Sequence, residues 1–370
     1  MVIGWGFGVE HGGNIFAAAA AFGGSPEDYL DFSSNVNPLG PPAGVLEKVS
    51  SALPHLSRYP DPECGDLCQA VADYLGVEKD WLFPGNGTAE LIYLLVYALG
   101  LRRVLIVEPT FSEYARAVEA HGGHVKRVFL SAPEFEPRAE LIRTQLDGME
   151  ALFICHPNNP TGKTWPAEEL ALLAEETGKR GVLLIVDEAF IDFLTPEEIK
   201  SLSAKKFLGR FRHLILLYSL TKFFGLAGLR LGFLIASPEI LARVKRIAPP
   251  WRVNFLAQLA GVEAVKDRAY QALTRELVSK EKAFLERELG RLPGFEVLPG
   301  QANFLLVRVE RTGKTAKEWT ASLARRRILV RDASNFPGLD PYYIRVAVKK
   351  REDNLRLLAA LKEVCEEYGL

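Results

Sequence analysis

The residue best suited to covalent chemistry is Lys222, in the segment SLTKFFGLAGLRLG. A lysine amine can tether a carbonyl compound as a Schiff base. Reactions that strip a proton or a carboxylate from an α-carbon need such a tethered electron sink, because no ordinary side chain stabilises the carbanion. Ser219, Thr221 and Arg230 flank the lysine with hydroxyl and guanidinium donors of the kind that hold a phosphate, and the glycines between them let backbone approach closely. A lysine in a loop is more often a plain solvated charge, so the case rests on context.

Other segments supply that context. PGNGTAELI sets Gly85, Gly87 and Thr88 at the head of an apolar helix, whose free amides and positive dipole end favour a phosphate; a glycine turn with a threonine cap accounts for the same residues. Asp187 closes the run VLLIV and opens DEAFIDF, which pushes one carboxylate to the edge of a sheet behind a dry aliphatic wall. A protonated pyridine nitrogen is the cation such a carboxylate calls for, and helix capping is its plainer role. CHPNNPTG is stiffened by two prolines and aims Asn159, whose amide can donate to a ring oxygen, although alone it would be a turn. Phe111, in EPTFSEY, can stack on a pyridine ring or fill core, and Tyr59, in SRYPDPE, can offer its phenol to a phosphate or sit on a surface turn.

The scaffold follows from short aliphatic runs at 104–107, 125–130, 151–155, 182–186, 214–218 and 231–236, separated by helical stretches. That alternation predicts an α/β fold with a mostly parallel, buried sheet, whose ligands belong at the carboxyl ends of the strands. A charged periodic stretch from about 255 to 289 predicts helix, part of it bridging two domains. Strands at 295–298, 303–309, 328–331 and 343–348, with helices near 315–326 and 353–368, predict a compact α+β unit. The first 40 residues are rich in Gly, Asn, Ser and Pro, and DFSSNVNPLGPP predicts an extended arm. The expected division is an N-terminal arm, 1–40, a large α/β domain, 41–265, and a small C-terminal α+β domain, 266–370. No internal repeat or low-complexity tract interrupts it.

A chain of 370 residues suits one large and one smaller domain. With 45 Lys and Arg against 46 Asp and Glu, the formal net charge of −1 gives no field for nucleic acid or an anionic membrane, so a small diffusible partner is expected. The four cysteines, Cys64, Cys68, Cys155 and Cys365, fit reduced thiols in a cytoplasm, and no metal site is expected. The opening MVIGWGFGVEHGGN carries no basic region ahead of a long apolar stretch, so neither a signal peptide nor a membrane span is expected.

Taken in order, GNGTAE, PTF, PNNPTG, DEAF, SLTKFFGLAGLRLG and YYIRVAV resemble a fold-type I pyridoxal-phosphate enzyme of the aspartate aminotransferase superfamily, over nearly the whole chain. HGGNIFAAAAAFGGSPEDYLDFSSNVNPLGPP, PPWRVN and ILVRDASNFPGLD are more similar to the threonine-phosphate decarboxylases of cobalamin biosynthesis than to the histidinol-phosphate aminotransferases. The resemblance implies pyridoxal 5'-phosphate as cofactor, with Lys222 as its Schiff-base lysine, Asp187 at the pyridine nitrogen, Asn159 at the ring hydroxyl and Phe111 on the ring face. Gly87, Thr88, Ser219, Thr221 and Arg230 would hold the cofactor phosphate. A homodimer is implied, with Tyr59 reaching the phosphate across the interface.

On the substrate side the resemblance implies that Arg345 pairs with a carboxylate as a planar fork, while His11, Asn35 and Arg331, with Asn159, complete the pocket. Donors there suit a substrate carrying its own phosphate; as exposed surface residues they would need no such role. Phe190 stands where many aminotransferases have a tyrosine, so Asn159 must serve the ring oxygen alone.

The implied reaction is decarboxylation of O-phospho-L-threonine to (R)-1-amino-2-propanol phosphate. It requires the carboxylate to stand perpendicular to the cofactor ring, with Lys222 returning a proton to the α-carbon. With the α-hydrogen perpendicular instead, the same ligands make an aminotransferase, acting on histidinol phosphate. A non-catalytic effector sensor would call for an appended helix-turn-helix or basic extension, and a scaffold gives no reason for Lys222, Asp187 and Asn159 to occur together.

Overall fold

The computed structural model describes residues 11–370, so the first ten residues of the expected arm lie outside the described residues. Two compact units are present: a larger one of residues 36–279 with 300–303, and a smaller one of the residues through Asn35 with 280–299 and 304–370. Residues 11–35 of the arm thus group with the C-terminal residues, and 36–40 with the larger unit. The sequence-based boundaries after 40 and after 265 both fall inside the larger unit.

The described chain opens with a helix, Ile15–Phe22, that the glycine-rich reading of this region did not anticipate. Five consecutive alanines favour it, and Asn14 caps it by accepting the Ala17 N–H at 2.9 Å. A two-residue strand, β1 (Leu30–Asp31), follows.

The larger unit is built on seven strands: β2 (Leu82–Gly85), β3 (Arg103–Glu108), β4 (His124–Phe129), β5 (Ala151–Cys155), β6 (Leu183–Asp187), β7 (Leu214–Ser219) and β8 (Gly232–Ile235). Their order across the sheet is β2-β8-β7-β6-β5-β3-β4. β3 to β7 run parallel, while β8 is antiparallel to both β7 and β2. The aliphatic runs expected as strands are all present to within a residue or two. β2 was not expected because its LFPG sequence carries a proline and a glycine, which an edge strand tolerates.

Central strands are buried on both faces, which is why they read as unbroken hydrophobic runs. Leu91, Ile92, Leu95 and Val96 of the helix Thr88–Leu99 pack with Phe83, Ile106, Phe153, Ile185, Ile215 and Leu234. The register Cys155↔Asp187 and Asp187↔Leu217 keeps the carboxyl ends of β5, β6 and β7 level, so the loops after them open on one sheet edge.

The helix expected over 255–289 is two helices, Phe255–Lys266 and Arg268–Leu289. Asp267 separates them, its carboxylate accepting the Tyr270 N–H at 2.8 Å as a cap for the second. In the smaller unit, β9 (Glu296–Leu298), β10 (Phe304–Arg308), β12 (Arg331–Asp332) and β13 (Tyr343–Ala347) form an antiparallel sheet of order β12-β13-β10-β9. The expected 328–331 strand is split: β11 (Ile328–Leu329) pairs in parallel with β1, and the chain changes sheet at Val330. Trp319, Leu323, Leu357 and Leu361 from two helices cover this sheet against Leu305, Val307, Ile344 and Val346. Among the described residues no helix is long and apolar enough to cross a membrane.

Candidate active site

In the larger unit, Asp187 ends β6 in a buried position. Its Oδ2 accepts the Tyr114 phenol at 2.7 Å and its Oδ1 accepts the Ala189 N–H at 3.0 Å. Burial pushes its carboxyl up to about 6, against the pull of these two donors and of the Lys222 charge. Lys222 and Asp187 are therefore within electrostatic reach of each other, as a tethered ring contacting both requires.

Tyr114 was not singled out from the sequence. It follows Phe111 by three residues, and the two rings meet edge to face at 5.6 Å. Tyr114 also stacks on Phe153 at 5.0 Å, which fixes the phenol beneath Asp187. Burial pushes the Tyr114 hydroxyl well above its ordinary range, so it stays a donor.

The loop after β5 carries two buried asparagines. Asn158 donates from Nδ2 to the Pro109 carbonyl and to Thr161 Oγ1, both at 2.9 Å, and accepts the Thr110 hydroxyl at 2.9 Å. It thereby ties this loop to the loop after β3, which carries Phe111. Asn159, the neighbour, is 8% exposed.

The groups expected to hold a phosphate gather where β7, β8 and β2 lie in register, Ser219↔Gly232 and Gly232↔Gly85. Gly87 has φ +85°, and a β-carbon there would stand 2.7 Å from Arg230 Nη2, so this glycine lets a guanidinium lie on the backbone at the head of the Thr88–Leu99 helix. A β-carbon at Gly232 would stand 2.9 Å from the Thr88 nitrogen. Ser219 Oγ and Thr221 Oγ1 are 2.7 Å apart and buried, and the Thr221 N–H donates to Ser219 Oγ at 3.2 Å. Gly87, Thr88, Ser219, Thr221 and Arg230 thus come together as expected from the sequence.

A second group missed from the sequence holds the lysine loop. The Asn37 N–H donates to the Lys222 carbonyl at 3.0 Å. Its side-chain Nδ2 donates to the Phe223 carbonyl at 2.6 Å and to Tyr270 and Thr274 hydroxyls at 2.9 Å each. The only sequence signal for this anchor is the NPLG turn that Asn37 opens. Phe190 is buried and brings no hydroxyl. Tyr59 is 78% exposed, with its ring 4.7 Å from that of Trp251, rather than packed among these groups.

The smaller unit holds the residues expected to meet substrate other than Asn159, which belongs to the larger unit. Arg345 on β13 and Arg331 on β12 are register partners, each 5% exposed. Arg345 Nη2 donates to the Ser33 carbonyl at 2.7 Å, and Arg331 donates to the Asp332 carbonyl at 2.6 Å and to Asn335 Oδ1 at 2.7 Å. Burial and the Arg331 charge pull the Arg345 guanidinium down to about 9, with Asp31 opposing. Asn35 is buried, whereas His11 is exposed and shares with Arg331, Ser33 and Lys317 the lining of a cavity of about 480 Å³. A separate cavity of about 630 Å³ in the larger unit, lined by Tyr74, Asp192 and Arg275, contains none of the expected residues.

Residues 27–361 match the aminotransferase class I and II family. The chain belongs to that family. It is 40% identical to the threonine-phosphate decarboxylase of Salmonella typhimurium over 97% of either protein. Among solved structures, the histidinol-phosphate aminotransferase from Clostridium acetobutylicum superposes with a TM-score of 0.85 at 30% identity, covering 91% of this chain and 99% of that one. The L-threonine-O-3-phosphate decarboxylase from Porphyromonas gingivalis gives 0.80 at 26% identity, covering 90% and 99%. These confirm the fold-type I architecture expected from the sequence.

The larger unit's residues fit the family's pyridoxal 5'-phosphate. A buried carboxylate suits a protonated ring nitrogen, an amine suits its aldehyde, and the cradle at Gly87, which a β-carbon would fill, suits its phosphate.

Proposed function

We propose that this chain is a pyridoxal-phosphate-dependent decarboxylase that converts O-phospho-L-threonine to (R)-1-amino-2-propanol phosphate for cobalamin biosynthesis. The observation that carries the reading is the buried pair Arg331 and Arg345: two cations suit a substrate that brings both a carboxylate and a phosphate. The likeness to the Salmonella decarboxylase over nearly the full length supports it.

When bound, pyridoxal phosphate supplies the electron sink for the pair left on the α-carbon. Asp187 keeps a proton on the ring nitrogen, and Tyr114 and the Ala189 N–H keep Asp187 in place. Asn159 donates to the ring oxygen, Phe111 covers a ring face, and Gly87, Thr88, Ser219, Thr221 and Arg230 hold the phosphate. Arg345 takes the substrate carboxylate, and His11, Asn35 and Arg331 take its phosphate end. Lys222 Nζ tethers the cofactor between turnovers and delivers the proton that replaces the lost carboxylate at the α-carbon.

Tyr59 serves the cofactor phosphate of a second copy in a homodimer. Its exposure beside the half-exposed Trp251 supports that role; activity that falls on dilution, together with loss of dimer in sedimentation, checks it. Four free, buried thiols support a cytoplasmic location.

The close superposition on a histidinol-phosphate aminotransferase favours transamination as the second reading. The deciding experiment mixes the holoenzyme with O-phospho-L-threonine and no oxo-acid. Release of carbon dioxide and amine, abolished by Lys222→Ala, supports the decarboxylase. No release, with amino transfer from histidinol phosphate to 2-oxoglutarate, overturns it.

A further inference from the structure

Asp31, the last residue of β1, organises more of the smaller unit than a strand end requires. Its Oδ1 accepts the Ser33 N–H at 2.8 Å and the Ser33 hydroxyl at 2.5 Å, and its Oδ2 accepts the Ser34 hydroxyl at 2.7 Å. All three bonds close one short turn around a single carboxylate. That turn presents the Ser33 carbonyl to Arg345 Nη2 at 2.7 Å.

The same turn also seats the segment next to His11. Ser33 Oγ, already donating to Asp31, accepts the Gly13 N–H at 2.8 Å. Gly12 lies so close that a β-carbon there would stand 2.0 Å from the Ser33 carbonyl oxygen. Ser33 thus joins, through its two oxygens, the arginine on β13 and the segment carrying His11. The charge on Asp31 acts in the same sense, since its field favours the protonated form of Arg345 while Arg331 opposes it.

We propose that Asp31 is a positioning residue for substrate carboxylate recognition, which acts by holding the Ser33 turn that aims Arg345 and seats the His11 segment. Asp31 itself touches no substrate. The inference rests on Arg345 being the group that takes the carboxylate. A carboxylate that merely ends a strand would have no reason to discriminate between ligands with and without a carboxylate, and that difference is measurable.

The test compares O-phospho-L-threonine with 1-amino-2-propanol phosphate, which lacks only the carboxylate, in holoenzymes carrying Asp31→Ala, Asp31→Asn and Arg345→Met. Asp31→Ala is expected to weaken the amino acid about tenfold and the amine less than about twofold. Asp31→Asn, which keeps an acceptor for Ser33, is expected to recover most of that loss, with cofactor absorbance unchanged in both. Equal weakening of the two ligands by Asp31→Ala, or of neither, overturns the inference if Arg345→Met still discriminates between them. If Arg345→Met does not discriminate, the carboxylate reading of Arg345 fails, and the inference with it.

Should Asp31→Ala not fold, Ser33→Ala removes the hydroxyl that Asp31 accepts and is read the same way, with an expected selective loss of about threefold. Should the wild type not bind O-phospho-L-threonine, the decarboxylase reading fails. The pair 2-oxoglutarate and histidinol phosphate, one with carboxylates and one without, then gives the same comparison.

Discussion

Arg331 and Arg345 face each other across neighbouring antiparallel strands, both almost fully buried. Like charges in that position oppose folding, and burial of each adds to the cost. The charge on Asp31 offsets part of that repulsion, and an anionic ligand would offset more.

Burial pulls the guanidinium of Arg345 down to about 9, below its ordinary range, so the unfolded chain binds this proton more tightly. The destabilisation is therefore fully present below about pH 9 and fades as the pH rises above it. Arg345→Met keeps much of the volume and removes the charge. It is expected to raise the melting temperature of the ligand-free protein at pH 7 by about 2–4 °C while lowering kcat/KM about 100-fold or more. A melting temperature that drops with activity would show Arg345 to be a structural residue.

Asp187 gives a pH dependence of its own. Its carboxyl rises from 3.8 to about 6 in the folded protein, so the native state holds the proton more tightly than the unfolded chain. Stability of the cofactor-free protein is expected to fall as the pH rises from about 4 to about 6 and to level off above that. Asp187→Asn is expected to remove this fall and make the cofactor-free protein the more stable one at pH 7, yet to bind pyridoxal phosphate more weakly if, as proposed, Asp187 is the anion at the ring nitrogen. Thermal melts across this range, with and without cofactor, check both signs.

Tyr114→Phe removes the phenol donor to Asp187 and leaves the ring on Phe153. Loss of one hydrogen bond to a buried carboxylate costs about 1.5–3 kcal/mol of stability, and cofactor affinity is expected to fall by a smaller factor, since the bond is already made without cofactor. The Asp187 carboxyl should also titrate higher. Unchanged cofactor affinity would assign Tyr114 to packing alone.

The groups legible in the sequence are those whose meaning is local. Asp187 follows an aliphatic run that could only be a buried strand, and Lys222 sits among small and hydroxylated residues within one loop. Tyr114 and Asn37 escaped because their partners lie far along the chain, 73 residues away at Asp187 and 186 at Phe223. Nothing in EPTFSEY distinguishes a core phenol from one aimed at a carboxylate. The missed elements have the opposite cause: Pro84 and Gly85 disguised β2, and the glycines around Ile15–Phe22 drew attention from its alanines. At 328–331 one apolar run feeds two sheets, a choice made by tertiary pairing and not by propensity.

Gly87 offers the sharpest test of the phosphate cradle. Alanine there meets two obstacles, a backbone at φ +85° and a guanidinium nitrogen 2.7 Å from the new β-carbon. The first strains the turn by about 1 kcal/mol, and the second displaces Arg230 from the helix head. If, as proposed, the displaced group holds the phosphate and not the ring, Gly87→Ala is expected to weaken pyridoxal phosphate at least tenfold while changing the affinity for unphosphorylated pyridoxal by less than about twofold. Arg230→Ala should reproduce the selective loss without the strain, and adding Gly87→Ala to it should cost little further phosphate affinity, since the two changes remove one contact. If the variants weaken pyridoxal and its phosphate alike, Arg230 and Gly87 shape the loop around Lys222 and the phosphate is held elsewhere.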